Sequence, residues 1–83
     1  MTNAEKTIQH IENTKMQAIK NPNQAKRVCQ GYYYFHNSAT LLEISKIDEG
    51  SYKGYWIVEN SQARNYSDPV ATYAEAKQVA ASW

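Results

Sequence analysis

The sequence predicts an α+β domain: an N-terminal helix, an antiparallel sheet of three or four strands, and a C-terminal helix packed on the sheet. Three observations carry this. Capping-box patterns open a helical stretch near each end of the chain, aromatic and β-branched runs with period-two alternation fill the middle, and turn residues separate those runs. Eighty-three residues leave room for one core, so residues 1–83 form a single domain.

Thr2-Asn3-Ala4-Glu5 has the capping-box spacing, in which the Thr hydroxyl satisfies one amide and the Glu three positions on reaches back. A helix follows, to about Lys20. Ala4, Ile8, Ile11, Ala18 and Ile19 share one side at helical spacing, and Lys15 falls in the middle of that stripe. Either Lys15 snorkels past the edge of the core, or the helix packs only over its ends. Asn21-Pro22-Asn23 then breaks the helix, because the residue before a proline is pushed out of the helical region. Two continuations fit residues 22–30. Asn21 caps a second short helix that stops before Gly31, or a strand begins at Arg27. We place a turn or short helix over residues 22–25 and a strand over residues 27–36.

His36-Asn37-Ser38-Ala39 has turn chemistry. Residues 40–47 alternate, with Leu42 and Ile44 on one side and Glu43 and Ser45 on the other, as in a half-solvated antiparallel strand. Asp48-Glu49-Gly50-Ser51 is the next hairpin turn, with Gly50 free to take a positive φ. A strand over residues 52–59 should bury Tyr52, Trp56 and Val58 and send Lys53, Tyr55 and Ile57 to the opposite face. Residues 63–66 add a short edge strand. Thr72-Tyr73-Ala74-Glu75 is the stronger capping box, because an unbroken stripe follows it: Tyr73, Ala76, Val79, Ala80 and Trp83 share one helical face. That face should lie across the core side of the sheet, with the N-terminal helix on an edge or on the other side.

The composition excludes several chemistries. His10 and His36 have no partner at metal-ligand spacing, so no metal site is expected. The three glycines are scattered and none opens a helix, so no phosphate loop is present and no cofactor is expected. Nothing names a nucleophile or a base, and no catalytic residue is expected. Cys29 stands alone, which excludes an internal disulfide and suits a reducing cytoplasm. The polar N-terminus has no signal-peptide pattern, and no apolar run approaches the ~20 residues of a membrane span.

Two stretches, residues 31–36 and 52–58, hold seven of the ten aromatic side chains. If Tyr33 and Phe35 face the core, Tyr32 and Tyr34 face the other side. With Tyr55, Lys53 and Arg64 they would make a contact face for a host protein or nucleoprotein complex, since Tyr and Arg are enriched at interface hot spots. Nucleic acid is the alternative partner. Stacking rings with interleaved cations suit single strands, and residues 13–27 carry Lys15, Lys20, Lys26 and Arg27 with no acid. A third arrangement is that both faces of the sheet are covered by helices and the tyrosines are core.

From Gly31 onward, the order strand–turn–strand–turn–strand–helix resembles the integrase arm-type domain and the related plant transcription-factor domain. Residues 68–77, Asp-Pro-Val-Ala-Thr-Tyr-Ala-Glu-Ala-Lys, look like the stretch in which those domains enter their helix. With the first helix added, the order is also that of the double-stranded-RNA-binding domain, whose second helix is similar to Glu75-Ala76-Lys77-Gln78-Val79-Ala80-Ala81. That family opens its second helix with a lysine cluster on phosphates, and this chain has Thr72, Tyr73 and Glu75 there. The departure removes the main warrant for RNA binding. In kind, a compact and nearly neutral chain without catalytic residues resembles the small inhibitor and accessory proteins of bacteriophages and plasmids, anti-CRISPR proteins among them. That resemblance implies a cytoplasmic, non-enzymatic protein that occupies a surface on a host defence complex.

Overall fold

The computed structural model describes residues 3–37 and 40–83, with the side chains of residues 3–6 left aside. The cap expected at Thr2, the side chains of Ala4 and Glu5, and Ser38-Ala39 of the second turn lie outside the described residues. The element order is α1 (Asn3–Lys20), β1 (Ala25–Cys29), β2 (Tyr32–Asn37), β3 (Thr40–Lys46), β4 (Trp56–Asn60), β5 (Asn65–Tyr66) and α2 (Tyr73–Ala81). The strands form one antiparallel sheet in the order β1-β2-β3-β4-β5. The α+β class, the two helices and the antiparallel sheet are as the sequence predicts; the strand number is five.

The fifth strand comes from residues 27–36, which are a hairpin and not one strand. Gly31 takes φ +78° and reverses the chain after Gln30, so β1 folds back on β2. The register shifts between Arg27 and Cys29, a bulge that increases the local twist at this edge. The strand expected over residues 52–59 begins only at Trp56. Gly50 and Gly54 have φ +86° and +91°, and two left-handed residues four apart are incompatible with extended backbone. The chain curls instead, with Tyr55 N–H donating to Tyr52 O at 2.9 Å and Gly54 N–H to Ile47 O at 2.8 Å. Tyr52, expected to be buried, is consequently 54% exposed.

One side of the sheet carries the dry core. Phe35, Leu42, Ile44 and Val58 alternate inward from β2, β3 and β4 and meet Ala76 and Ala80 of α2. The alanines let the helix approach closely. Thr72 caps α2 with extended backbone, its hydroxyl accepting from Glu75 N–H at 3.2 Å. At the other end, Asn37 Nδ2 donates to Ala80 O at 2.9 Å and ties the end of β2 to the last turn of the helix. Tyr33, Trp56 and Tyr73 close this layer as an aromatic cluster, Tyr33 and Tyr73 stacked at 4.5 Å. Trp83 lies beyond the helix end at Ala81 and is 38% exposed, so it is not part of this cluster.

The other side is covered by α1, which packs on β1 and β2 and reaches only the fringe of β3. Its buried residues are Ala18 and Thr14, with Ile11 and Lys15 half-buried. Lys15 does snorkel: its ammonium lies 5.7 Å from the centre of the Tyr34 ring. His10 Nε2 donates to the Val28 carbonyl, tying the helix to the sheet edge. Ile8 and Ile19, expected in the buried stripe, are 60% and 44% exposed. The helix is rolled toward Thr14 and Ala18, whose small side chains let it sit close to the tyrosine layer.

Candidate functional site

Strand register brings chemistry-bearing side chains into one row on the α1 side. Lys26 pairs with Tyr34, Tyr34 with Glu43, Glu43 with Glu59, and Glu59 with Tyr66. Residues opposite one another in a ladder point to the same face, so the row crosses all five strands. Its two halves differ. Tyr34 is only 3% exposed, sealed beneath α1, whereas Tyr66 at the far edge is 69% exposed.

Tyr32 belongs to the neighbouring row, with Ser45 and Ile57. It is half-buried, packs edge-on to Tyr34 at 5.6 Å, and donates its hydroxyl to Glu43. Burial pushes the Tyr32 phenol far above its ordinary value, and the hydrogen bond to Glu43 adds to the shift. The proton therefore stays on Tyr32, which is a donor to the carboxylate and not a base. A small cavity of about 110 Å³ lies beside this cluster, lined by Lys15, Tyr34, Leu41, Glu43, Ser61 and Gln62.

The β3–β4 loop, residues 47–55, makes a second and more open constellation. Tyr52 and Tyr55, 54% and 41% exposed, pack edge-to-face with ring centres 5.6 Å apart. Lys53 lies between them in sequence and is exposed. The loop overhangs a cavity of about 400 Å³ lined by Gln30, Gly31, Lys46, Ile47, Asp48, Lys53 and Gly54. Gly31 sits where the loop closes on the sheet: a Cβ there would lie 3.4 Å from Lys46 Cβ. The place thus combines exposed rings, two lysines, one acid and a concave wall.

Of the residues expected to share a contact face, the structure brings together only some. Lys53 and Tyr55 are exposed in the β3–β4 loop, and Tyr32 lies at the same end of the sheet, half-buried. Tyr34 is covered, so it is not available to a partner: α1 lies over it and Lys15 caps its ring. Arg64 is exposed with φ +56° in the β4–β5 turn, at the opposite end of β4 from that loop. The basic segment is also divided. Lys15 is engaged with Tyr34, Lys20 is exposed in the last turn of α1, and alternation in β1 sends Lys26 and Arg27 to opposite faces.

No family model, curated protein or solved structure matches this chain.

Among the described residues no group of three or more His, Cys, Asp and Glu side chains could hold a metal ion. Among the described residues no helix is long and apolar enough to cross a membrane. Cys29 is exposed on edge strand β1. Sequence reasoning missed Tyr52, Lys46 and Tyr66 as exposed surface. The spacing of Gly50 and Gly54 was the available signal for Tyr52, since it takes the intervening residues out of the sheet. The cross-sheet alignment of Glu43 with Glu59 depends on loop length and leaves no mark in local sequence.

Proposed function

We propose that this chain is a non-catalytic binding protein that engages a host protein or nucleoprotein complex in the cytoplasm, in the manner of small phage or mobile-element inhibitors. The observation that supports this is the exposed Tyr52–Tyr55 pair, held rigid by a hydrogen-bonded loop and flanked by Lys46, Lys53 and a concave wall. Two tyrosines in edge-to-face contact offer a large amphipathic area at low entropy cost, the character of an interface anchor. Tyr52, Lys53 and Tyr55 are its contact residues, with Lys46 on the rim.

Nucleic acid is the less favoured partner, because Lys15 is turned to Tyr34 and Lys26 and Arg27 face opposite ways. The test is biological and then physical. In bacteria whose CRISPR or restriction immunity targets a phage, expression of the chain should restore plating. A Tyr52→Ala/Tyr55→Ala variant with an unchanged circular dichroism spectrum should lose at least tenfold of that effect. Full protection by the double variant, or none by the wild type, defeats the reading. Affinity that falls steeply with salt would transfer the role to phosphate contacts.

A further inference from the structure

The β3–β4 loop sets two chemistries side by side, an exposed pair of rings and a charged hollow. The hollow, about 400 Å³, stands at the small end of the ~300–1,000 Å³ range of ligand pockets. Main chain shapes it. Gly31 and Gly54 both take positive φ and put no side chain into it, and a Cβ at Gly54 would meet nothing within 4 Å, so the hollow is open on that side. Ile47 is the one apolar side chain in its wall. Ile47 N–H donates to Tyr55 O and Gly54 N–H to Ile47 O, each at 2.8 Å, so a ligand meets a loop that is already ordered.

Charge selects what can enter. Lys46 comes to the hollow from the end of β3 and Lys53 from the loop, and among the described residues neither ammonium has an ion-pair partner. Asp48 also lines the wall, so two ammoniums against one carboxylate leave a net +1. A single carboxylate matches that charge, whereas a phosphomonoester brings about −1.5 to −2. A run of phosphodiesters fits less well still. Asp48 and Glu49 cancel Lys46 and Lys53 over residues 46–53, so a polyanion following the loop meets no net attraction. The amides of Lys46, Ile47, Lys53 and Gly54 all donate within the protein and are not available to cradle a phosphate.

Building on the contact role proposed for this loop, we infer that the hollow receives the carboxylate of an acidic peptide segment, with an aromatic or aliphatic neighbour of that carboxylate laid against Tyr52 and Tyr55. Lys46 and Lys53 donate to the carboxylate oxygens, its methylene stem lies along Ile47, and the edge-to-face rings take the adjoining side chain. A lysine ammonium is a point charge on a flexible stem, so the carboxylate can come from a side chain or from a chain end. One paired carboxylate makes affinity fall only gently with salt, unlike a row of phosphates.

Isotope-edited NMR titration of the full chain tests this with small peptides. Acetyl-Phe-Glu-Phe-amide carries its carboxylate on a side chain, and acetyl-Phe-Gln-Phe with a free C-terminus carries it at the chain end. Either should shift the amide resonances of residues 46–48 and 53–55, and the tighter of the two identifies the source. Acetyl-Phe-Gln-Phe-amide, which has no carboxylate, should bind at least tenfold more weakly. Lys46→Gln/Lys53→Gln, at two exposed positions, should lose the same factor toward the acidic peptides with an unchanged melting temperature. Lys53→Glu should turn the preference toward acetyl-Phe-Lys-Phe-amide. Equal binding of the neutral peptide, or shifts confined to another surface, overturns the inference. So does tighter binding of acetyl-Phe-phosphoserine-Phe-amide or of single-stranded octathymidylate. A wild type that restores plating and binds neither acidic peptide overturns the acidic ligand and leaves the contact role of the loop standing. A wild type that binds them through Lys46 and Lys53 but restores no plating defeats the defence-inhibitor role and upholds the acidic ligand.

Discussion

The two faces of the sheet are built from the same three strands and solve opposite problems. Toward α2, Leu42, Ile44 and Val58 are fully buried and meet two alanines, and the layer is aliphatic with an aromatic border. Toward α1, the same strands present Tyr32, Tyr34, Glu43, Glu59 and Ile57, and a polar network replaces the dry core. Period-two alternation alone sorts the residues. The difference teaches where the dry core and the exposed rings reside: the α2 side carries the core, and the exposed tyrosines lie in the β3–β4 loop and at the β5 edge.

The sharpest way to break that comparison is to shorten one side chain on each face of adjacent strands. Ile44→Ala removes a fully buried group among atoms that cannot collapse onto the gap, and should cost about 2–5 kcal/mol. Ile57→Ala, half-buried on the α1 side of the sheet, should cost about 1 kcal/mol or less. Chemical denaturation of both variants at low protein concentration measures the ratio. Equal losses would mean that the two faces share one core.

The α2 face was legible in the sequence because each of its signals is local. Leu42 and Ile44 alternate with Glu43 and Ser45, and Thr72-Tyr73-Ala74-Glu75 marks a helix start that the structure contains. The α1 face was not legible, for reasons that are also physical. Gly31 is the single turn residue between Arg27-Val28-Cys29 and the aromatic run, so the hairpin that creates β1 read as continuous strand. The roll of α1 toward Thr14 and Ala18 depends on the size of what lies beneath it, and helical periodicity assigns apolar Ile8 and Ile19 inward regardless. The candidate site suffered most, because its membership depends on which tyrosine lies under a helix. Alternation places Tyr32 and Tyr34 on one side, and only the position of α1 decides that Tyr34 is sealed while Tyr32 stays half-open.

Alkaline titration sharpens the comparison with one reporter on each face. Burial raises the phenols of both Tyr32 and Tyr73, with hydrogen bonding to Glu43 adding to the first and the neighbouring Tyr33 adding to the second. A raised folded-state value means that the native protein favours the neutral phenol. The stabilisation is therefore complete below the ordinary value of 10.0 and is lost as pH rises through the folded-state values. Phenolate absorbance should show Tyr32 and Tyr73 each ionising above the ordinary value, Tyr32 the later of the two. Tyr32→Phe should remove the later step and Tyr73→Phe the earlier one; a single sharp transition for all rings would show global unfolding instead and contradict the order.

The smallest effect concerns the residue that interrupts the first helix's apolar stripe. Lys15 stands where a hydrophobic side chain would be expected, and its half-buried stem reaches along the sheet until the ammonium lies over Tyr34. Charge over a ring face contributes about 0.5–1 kcal/mol at such partly exposed sites, so Lys15→Met, which keeps the stem and drops the charge, should destabilise by that amount. Lys15→Ala should cost more, because the packing of the stem is lost as well. A double-mutant cycle with Tyr34→Leu isolates the contact, since Lys15→Met should cost nothing extra once the ring is gone. If the penalty of Lys15→Met persists without the ring, the ammonium is stabilised by the Glu43 side of the small cavity, and the polar character of this face belongs to its carboxylates and not to its tyrosines.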